Sequence, residues 1–348
     1  MEAHIAYASG SPSRTLVLPM EPQPEDGERI LAIARECVRR LSRLGGELQD
    51  ITKIAIVSPS THPLFDLDYR FVQVLPGPEP GFDLNGSCGH SVLASALIAS
   101  RLGWIHPLAP DQRVRVNVLN TGDHLVCEVD ESVRDRVSFT THFLRHPSVA
   151  LRSLLLDDQP TDRYLYEGGA IRASAVSTGN PYVFIDAHDL GVGRVEELFD
   201  DDPGLFRTLS AIRRSAAAVH GFPLDGAFPK IAALLPDGDG RVAVRALSVP
   251  SWHPTIALTG AVCLGAAVKI AGTIPHTLAG PATAPGEPLQ IHTSGGTATV
   301  RAAVTGNAED DRLAWVSVPR KDVEFIGSID IDRIRPTIRT EDLLHANR

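Results

Sequence analysis

Asn85-Gly86-Ser87-Cys88-Gly89-His90 runs into Ser91-Val92-Leu93-Ala94-Ser95-Ala96-Leu97, and Thr259-Gly260 runs into Ala261-Val262-Cys263-Leu264-Gly265-Ala266-Ala267-Val268. With Gly89 set on Gly260, small and apolar positions coincide along both stretches. Each predicts a helix whose N-terminus is clear of bulk and can offer free N–H groups to an anion. The repetition predicts two related halves with a ligand held between the two helix ends.

Working outward, Ala3 to Leu18 reads as two short strands around the polar run Ser9-Gly10-Ser11-Pro12-Ser13. Glu25 to Leu44 carries apolar residues at helical spacing (Ile30, Ala34, Val38, Leu41) and stops at Gly45-Gly46. Ile54 to Val57 and Tyr69 to Val74 read as strands. Arg113 to Leu119 and His124 to Val129 alternate around Asn120-Thr121-Gly122-Asp123, and Gln290 to Val304 turns at Gly295-Gly296, so both read as hairpins. Many short strands and one apolar helix per half predict an α+β protein of two pseudo-symmetric domains, each a curved, mostly antiparallel sheet around a central helix. The boundary is placed near residue 167, giving domains 1–167 and 168–348, with the last residues free to pack back on the first domain. A doubly wound parallel fold is disfavoured, because the βαβ rhythm and a Gly-x-Gly-x-x-Gly turn are missing.

At 348 residues, 43% hydrophobic and 22% charged, the composition is that of a globular protein. The balance of 33 basic against 42 acidic residues, a net −9, comes without a basic run, which argues against nucleic acid as a partner. Apolar stretches such as Ser91 to Ser100 fall short of the roughly 20 residues of a membrane span. The N-terminus lacks a basic-then-apolar signal, so a cytoplasmic protein is expected, with no membrane partner. Cys37, Cys88, Cys127 and Cys263 are widely separated and form no Cys-x-x-Cys pair, so neither a zinc site nor a disulfide framework is indicated. The expected partner is a small carboxylate, with a homodimer allowed for.

Cys88 stands at a predicted helix start between Gly86 and Gly89, where N–H groups lower a thiol pKa and glycines admit a substrate to the backbone. Cys263 overlays Val92, one turn inside its helix, and reads as packing; Thr259 overlays Cys88. Lys53 is a single cation entering the apolar strand Ile54-Ala55-Ile56-Val57. Partial burial would make its amine a base, while an edge-strand lysine with its head in water is the plainer reading. His253 precedes the second helix and suits either a ligand contact or a cap. Asn180 and Ser294-Gly295-Gly296 are turn residues that matter only if a cleft gathers them.

Taken in order, Thr52-Lys53-Ile54-Ala55-Ile56-Val57-Ser58-Pro59-Ser60, Gly86-Ser87-Cys88-Gly89-His90, Asn120-Thr121-Gly122, Gly179-Asn180-Pro181, Pro229-Lys230-Ile231-Ala232, His253 with Thr259-Gly260-Ala261-Val262-Cys263, and Ser294-Gly295 resemble the 2-methylaconitate cis-trans isomerase, or PrpF-like, family. That family includes methylitaconate and 4-oxalomesaconate isomerases and shares the diaminopimelate epimerase fold. The resemblance implies a site in the cleft between two domains, with no metal and no organic cofactor. It implies proton movement along an allylic system next to a carboxylate, by a Lys and a Cys that correspond to Lys53 and Cys88. The ligand-binding candidates are Ser13, Arg14, Thr52, Asn85, Gly86, Ser87, Gly89, His90, Asn180, His253, Thr259, Gly260 and Ser294.

Three stretches depart from the family pattern. An Arg-Gly-Gly-Thr-Ser-Lys-Gly stretch is represented by Ser9-Gly10-Ser11-Pro12-Ser13-Arg14-Thr15, with Arg14 in place of the Lys and the Arg gone. The family's Asn neighbours of the Cys are Ser87 and His90, and an Arg-Thr-Ala-Arg type run survives as Pro319-Arg320-Lys321-Asp322. Bidentate arginines are the usual carboxylate donors, so a substrate with fewer carboxylates than the family's tricarboxylates is expected. Two other functions compete: an epimerase or racemase with a thiol on each side, which needs Cys263 to reach the site, and a non-catalytic binding protein on the same fold.

Overall fold

The computed structural model describes residues 2–333 except 76, 307 and 309. In the first half, β1 (Glu2–Ala8), β2 (Thr15–Pro19), α1 (Gly27–Leu41), β3 (Lys53–Pro59), β4 (Leu67–Leu75), β5 (Gly81–Asp83), α2 (Gly89–Arg101), β6 (Arg113–Val118), β7 (Asp123–Val133) and β8 (Arg136–Ala150) follow in order. The second half has β9 (Asp162–Tyr166), β10 (Gly169–Thr178), β11 (Asn180–Asp186), α3 (Val195–Phe199), α4 (Pro203–Val219), β12 (Lys230–Pro236), β13 (Arg241–Ser248), β14 (Ser251–Trp252), α5 (Leu258–Ala267), α6 (Ile274–Ala279), β15 (Leu289–Thr293), β16 (Gly296–Val304) and β17 (Arg312–Asp330).

The two halves repeat one wiring. β2 pairs parallel with β3 across α1, β3 antiparallel with β4, β4 parallel with β6 across α2, and β6 antiparallel with β7. β11 pairs parallel with β12 across α4, β12 antiparallel with β13, β13 parallel with β15 across α5, and β15 antiparallel with β16. Lys53 and Lys230 therefore open equivalent strands, as Lys53-Ile54-Ala55 and Lys230-Ile231-Ala232. In the first half the sheet closes on itself, because β8 pairs with β17 and β17 with β1. Closure removes free edges and leaves an interior for one helix.

That helix is α2, whose residues from Gly89 to Ala99 are all buried; α5 is likewise buried from Leu258 to Ala267. Helices without a polar face belong inside, and both lie in one continuous apolar core. The serines of α2 fit there because Ser95 Oγ donates to the Ser91 carbonyl (2.9 Å) and Ser91 Oγ shares a hydrogen bond with Thr15 Oγ1 (3.1 Å). By contrast α1, capped by Asp26, covers the outside of the first sheet with Ile30, Ala34, Cys37 and Leu41. Its counterpart α4, capped by Asp202, covers the second sheet with Leu205, Leu209 and Ile212. The helix at Pro203–Val219 was not anticipated from the sequence, although its Asp-Pro start is an ordinary helix signal.

Two long strands tie the halves together. Arg301–Val304 of β16 pair with Leu313–Ser317 of β17, whereas Glu2–Ala8 of β1 pair with Val323–Asp330 of the same strand. β17 thus leaves one sheet and enters the other near residue 320. On the far side Arg145 Nη1 donates to buried Asp123 (2.5 Å) and Arg145 Nη2 to the Thr178 carbonyl. Gly179 follows at φ +106°, and any Cβ there would lie 2.5 Å from Asp123 Oδ2. Replacing Arg145 by Met strands a buried carboxylate, and we expect a loss of about 3–5 kcal/mol in urea unfolding, partly recovered by adding Asp123→Asn.

Candidate active site

Cys88 is the N-cap of α2, with φ −133° and ψ 107°, and Ala257 is the N-cap of α5; neither end has a side-chain cap. The two ends meet, since a Cβ on Gly89 would lie 2.7 Å from Leu258 Cδ2. Asn180, at the start of β11, fastens them: its Oδ1 accepts from the Ser87 N–H (3.0 Å), and its Nδ2 donates to the Ser87 carbonyl (2.8 Å) and to Thr259 Oγ1 (3.1 Å). Uncapped N–H groups of two facing helices direct positive potential into one space. The overlay of Cys88 on Thr259 is offset by the different helix starts: Thr259 lies inside the first turn of α5, while Cys88 caps α2.

Lys53, 5% exposed, lies against Cys88 and donates from Nζ to Ser11 Oγ. Burial drives the Lys53 pKa down, and the charge of Cys88 opposes it. Burial pushes the Cys88 thiol up, but Lys53, the hydroxyl and N–H of Ser91, and Lys230 outweigh it and hold the thiol below its ordinary value. The edge-strand reading of Lys53 fails for a geometric reason. β3 lies between β2 and β4, so Lys53 enters the middle of a sheet. Thr52 and Ser13 share a hydrogen bond of 2.9 Å beside it. Ser13, Thr52 and Lys53 form one wall of a cavity of about 530 Å³, and Ser248 to Ser251 of the second half form another.

Gly86 packs on the Phe228 ring, and a Cβ there would lie 2.1 Å from Phe228 Cζ. Phe228 also carries Lys230, whose Nζ stands 5.4 Å from the ring centroid. Burial brings Lys230 down to about 8, with Cys88 opposing and Lys53 adding to the shift. Lys230 lines the candidate site, yet sequence reasoning quoted it only within a motif and gave it no role, although it opens an apolar strand as Lys53 does. Tyr69 was also passed over; its hydroxyl donates to the Cys88 carbonyl (3.3 Å).

His90 and His253 face each other, ring centroids 6.3 Å apart and planes 21° apart. Both are buried and neutral: burial first, then neighbouring lysines, holds each well below the ordinary imidazole value. The Thr255 N–H donates to His253 Nδ1 (3.1 Å), which places the proton on Nε2. Gly260 packs on the Tyr182 hydroxyl, which bonds to Thr259. Arg14 is half-buried in the Ser9–Thr15 loop. Two candidates stand apart: Asn85 is exposed with its N–H held by Asp83 (2.8 Å), and Ser294 is exposed and donates to the Pro254 carbonyl (3.3 Å) behind the His253 loop. Cys263 is spent on packing, its Sγ near the Val176 carbonyl (3.3 Å) and its thiol pushed up to about 12 by burial. Among the described residues no cluster of three or more His, Cys, Asp or Glu side chains could hold a metal ion, and no helix is long and apolar enough to cross a membrane.

The family model described as PrpF protein matches residues 18–326, and the chain belongs to that family. It is 26% identical over 296 residues to 3-methylitaconate isomerase of Eubacterium barkeri, covering 74% of this chain and 78% of the relative. It is 25% identical over 331 residues to 2-methyl-aconitate isomerase of Shewanella oneidensis, covering 79% and 83%. The fold is that of a solved methylitaconate-delta-isomerase, with TM-score 0.63, 21% identity and 98% of both chains covered.

Burial pushes Cys37, Cys127 and Cys263 up to about 12 while Cys88 is lowered. Iodoacetamide at neutral pH should therefore alkylate Cys88 ahead of the other three, as read by peptide mass mapping of folded protein. In Lys53→Met the midpoint of the alkylation-against-pH curve should move up, because the charge that favours the thiolate is gone. Equal labelling of Cys263, or an unmoved midpoint, would remove the Lys53–Cys88 pairing.

Proposed function

We propose that the cleft isomerises a small unsaturated carboxylic acid by proton transfer, moving a double bond or changing its geometry, without a cofactor. The observation that carries this is the buried Lys53–Cys88 pair set at two uncapped helix N-termini. An allylic proton conjugated to a carboxylate is removable only if the dienolate formed is stabilised as its charge grows. Helix N–H groups and the Lys230 ammonium, fixed before reaction, supply that stabilisation without reorganising. Lys53 and Cys88 together hold one exchangeable proton. In the amine–thiol form Lys53 Nζ takes the allylic proton and Cys88 Sγ–H returns one at the other end of the allyl system. This leaves ammonium and thiolate, and a proton passing from Lys53 to Cys88 restores the starting pair. An epimerase with a thiol on each side lacks its second thiol, since Cys263 is occupied within the core.

Proton NMR in deuterium oxide tests this with methylitaconate-type and methylaconitate-type acids. Wild-type enzyme should isomerise one of them, unaffected by a chelator, and introduce deuterium at the allylic carbon. Lys53→Ala should lose both isomerisation and exchange by at least ~100-fold, the usual worth of a general base. Cys88→Ala should lose isomerisation while retaining exchange at the carbon that Lys53 serves. Full activity in Lys53→Ala, or activity lost to a chelator, would falsify the mechanism.

A further inference from the structure

The loop between β1 and β2 departs from the family pattern, and the residue in it that meets Lys53 is Ser11. Ser11 is 4% exposed, and its Oγ donates to the Ser13 carbonyl (2.8 Å). A hydroxyl has one proton, so with that proton given to Ser13 the oxygen can only accept from Lys53 Nζ. One N–H of the buried amine is thereby fixed on Ser11, and the rest of the nitrogen is left to Cys88. The tilt of Ser11 is set by the peptide unit that joins it to Gly10. A peptide unit is planar, so holding its oxygen and its N–H holds the whole plane. The Ser11 N–H donates to the Ala8 carbonyl (3.0 Å), and the Gly10 carbonyl accepts from Thr255 Oγ1 (3.0 Å).

Thr255 comes from the second half, and it is itself held. Gly10 has φ +80°, and a Cβ there would lie 2.8 Å from Thr255 Oγ1, so glycine is what lets the two loops approach this closely. The Thr255 N–H donates to His253 Nδ1 (3.1 Å). Just before it, the Pro254 carbonyl accepts from Ser294 Oγ (3.3 Å), and Ser294 Oγ accepts from Arg245 Nη1 (2.6 Å). Arg245 is 4% exposed, and its Nη2 is paired to Asp201. A continuous series of hydrogen bonds and peptide units therefore runs from buried Arg245 in the second half to Lys53 in the first.

We propose that Thr255 and Ser11 are positioning residues for Lys53: Thr255 reaches across from the second half to set the Gly10–Ser11 peptide, and Ser11 fixes the direction in which the Lys53 amine is presented. Neither takes part in the proton transfer. A base already aimed at its proton has less freedom to lose on the way to the transition state. Ser11 also gives the ammonium form of Lys53 a charge-assisted acceptor, and so supports the charge that favours the Cys88 thiolate. The amine is in order only while the two halves are seated on one another. This inference rests on reading Lys53 as the base.

Alkylation of Cys88 by iodoacetamide against pH tests it without a substrate. Ser11→Ala and Thr255→Val should each raise the midpoint, by less than Lys53→Met does, because the ammonium loses its acceptor and the thiolate its support. Thr255→Ser should keep the wild-type midpoint. In a Lys53→Met background neither substitution should move it further, a result that a merely structural role would not give. With an acid that the wild type isomerises, kcat should fall about tenfold in Ser11→Ala and in Thr255→Val, with KM changed by less than about twofold. The double variant should be no slower than Ser11→Ala, since both act along one path. Thr255→Val lies in the other half and carries the test if Ser11→Ala fails to fold. Unmoved midpoints in both variants beside a raised one in Lys53→Met, or equal shifts with and without Lys53, would overturn the positioning and leave the Lys53–Cys88 pair standing. An unmoved midpoint in Lys53→Met would overturn both.

Discussion

Holding a lysine out of water beside a thiol is the constraint around which the rest of this structure is arranged. A buried ammonium is costly unless a partner shares its charge, and a buried thiolate is costly for the same reason. Placing Lys53 and Cys88 together lowers both costs, and it leaves the proton between them weakly held. That arrangement survives only if water stays out and the two residues cannot drift apart. Closure of the first sheet around α2 provides the first condition, and the Asn180 bridge between Ser87 and Thr259 provides the second.

The duplicated wiring explains why the site lies at the junction. Each half supplies a buried apolar helix with an uncapped N-terminus and an apolar strand that opens with a lysine. Apposing two such halves brings two N-termini and two lysines to one space, a positive environment that neither half has alone. The chemistry comes from breaking the symmetry. Cys88 caps its helix and can ionise beside Lys53, while Thr259 sits inside its helix and is committed to Asn180. In the proposed mechanism one half therefore performs the proton transfer, and the other contributes electrostatics and walls.

Local patterns were legible in the sequence where they were self-contained. Ser91 to Ala99 and Ala261 to Val268 are small and apolar all round, which marks them as interior helices, and the hairpin at Asn120-Thr121-Gly122-Asp123 carries its own turn chemistry. Lys53, a cation at the head of Ile54-Ala55-Ile56-Val57, is locally anomalous, but an edge-strand lysine was the plainer reading and only the family resemblance made it a candidate. Lys230, at the head of Ile231-Ala232-Ala233-Leu234-Leu235, carries the same anomaly and became legible only once the wiring of the two halves was matched. What no local pattern could give was closure. That β17 leaves one sheet and joins β1 is a pairing of residues more than 300 positions apart, and nothing around Val323 to Asp330 states it. Asn85 and Ser294 illustrate the reverse: both stand beside motif residues in sequence, yet Asn85 is exposed and the Ser294 hydroxyl is bonded to Arg245 and the Pro254 carbonyl.

The strand crossover shows how architecture dictates local irregularity. A bulge is needed wherever one strand serves two sheets of different curvature, so the segment around Arg320 cannot be regular whatever its sequence. Lys53 and Cys88 are held by β3 and α2, so the pair on which the proposed mechanism rests is positioned independently of this irregular segment.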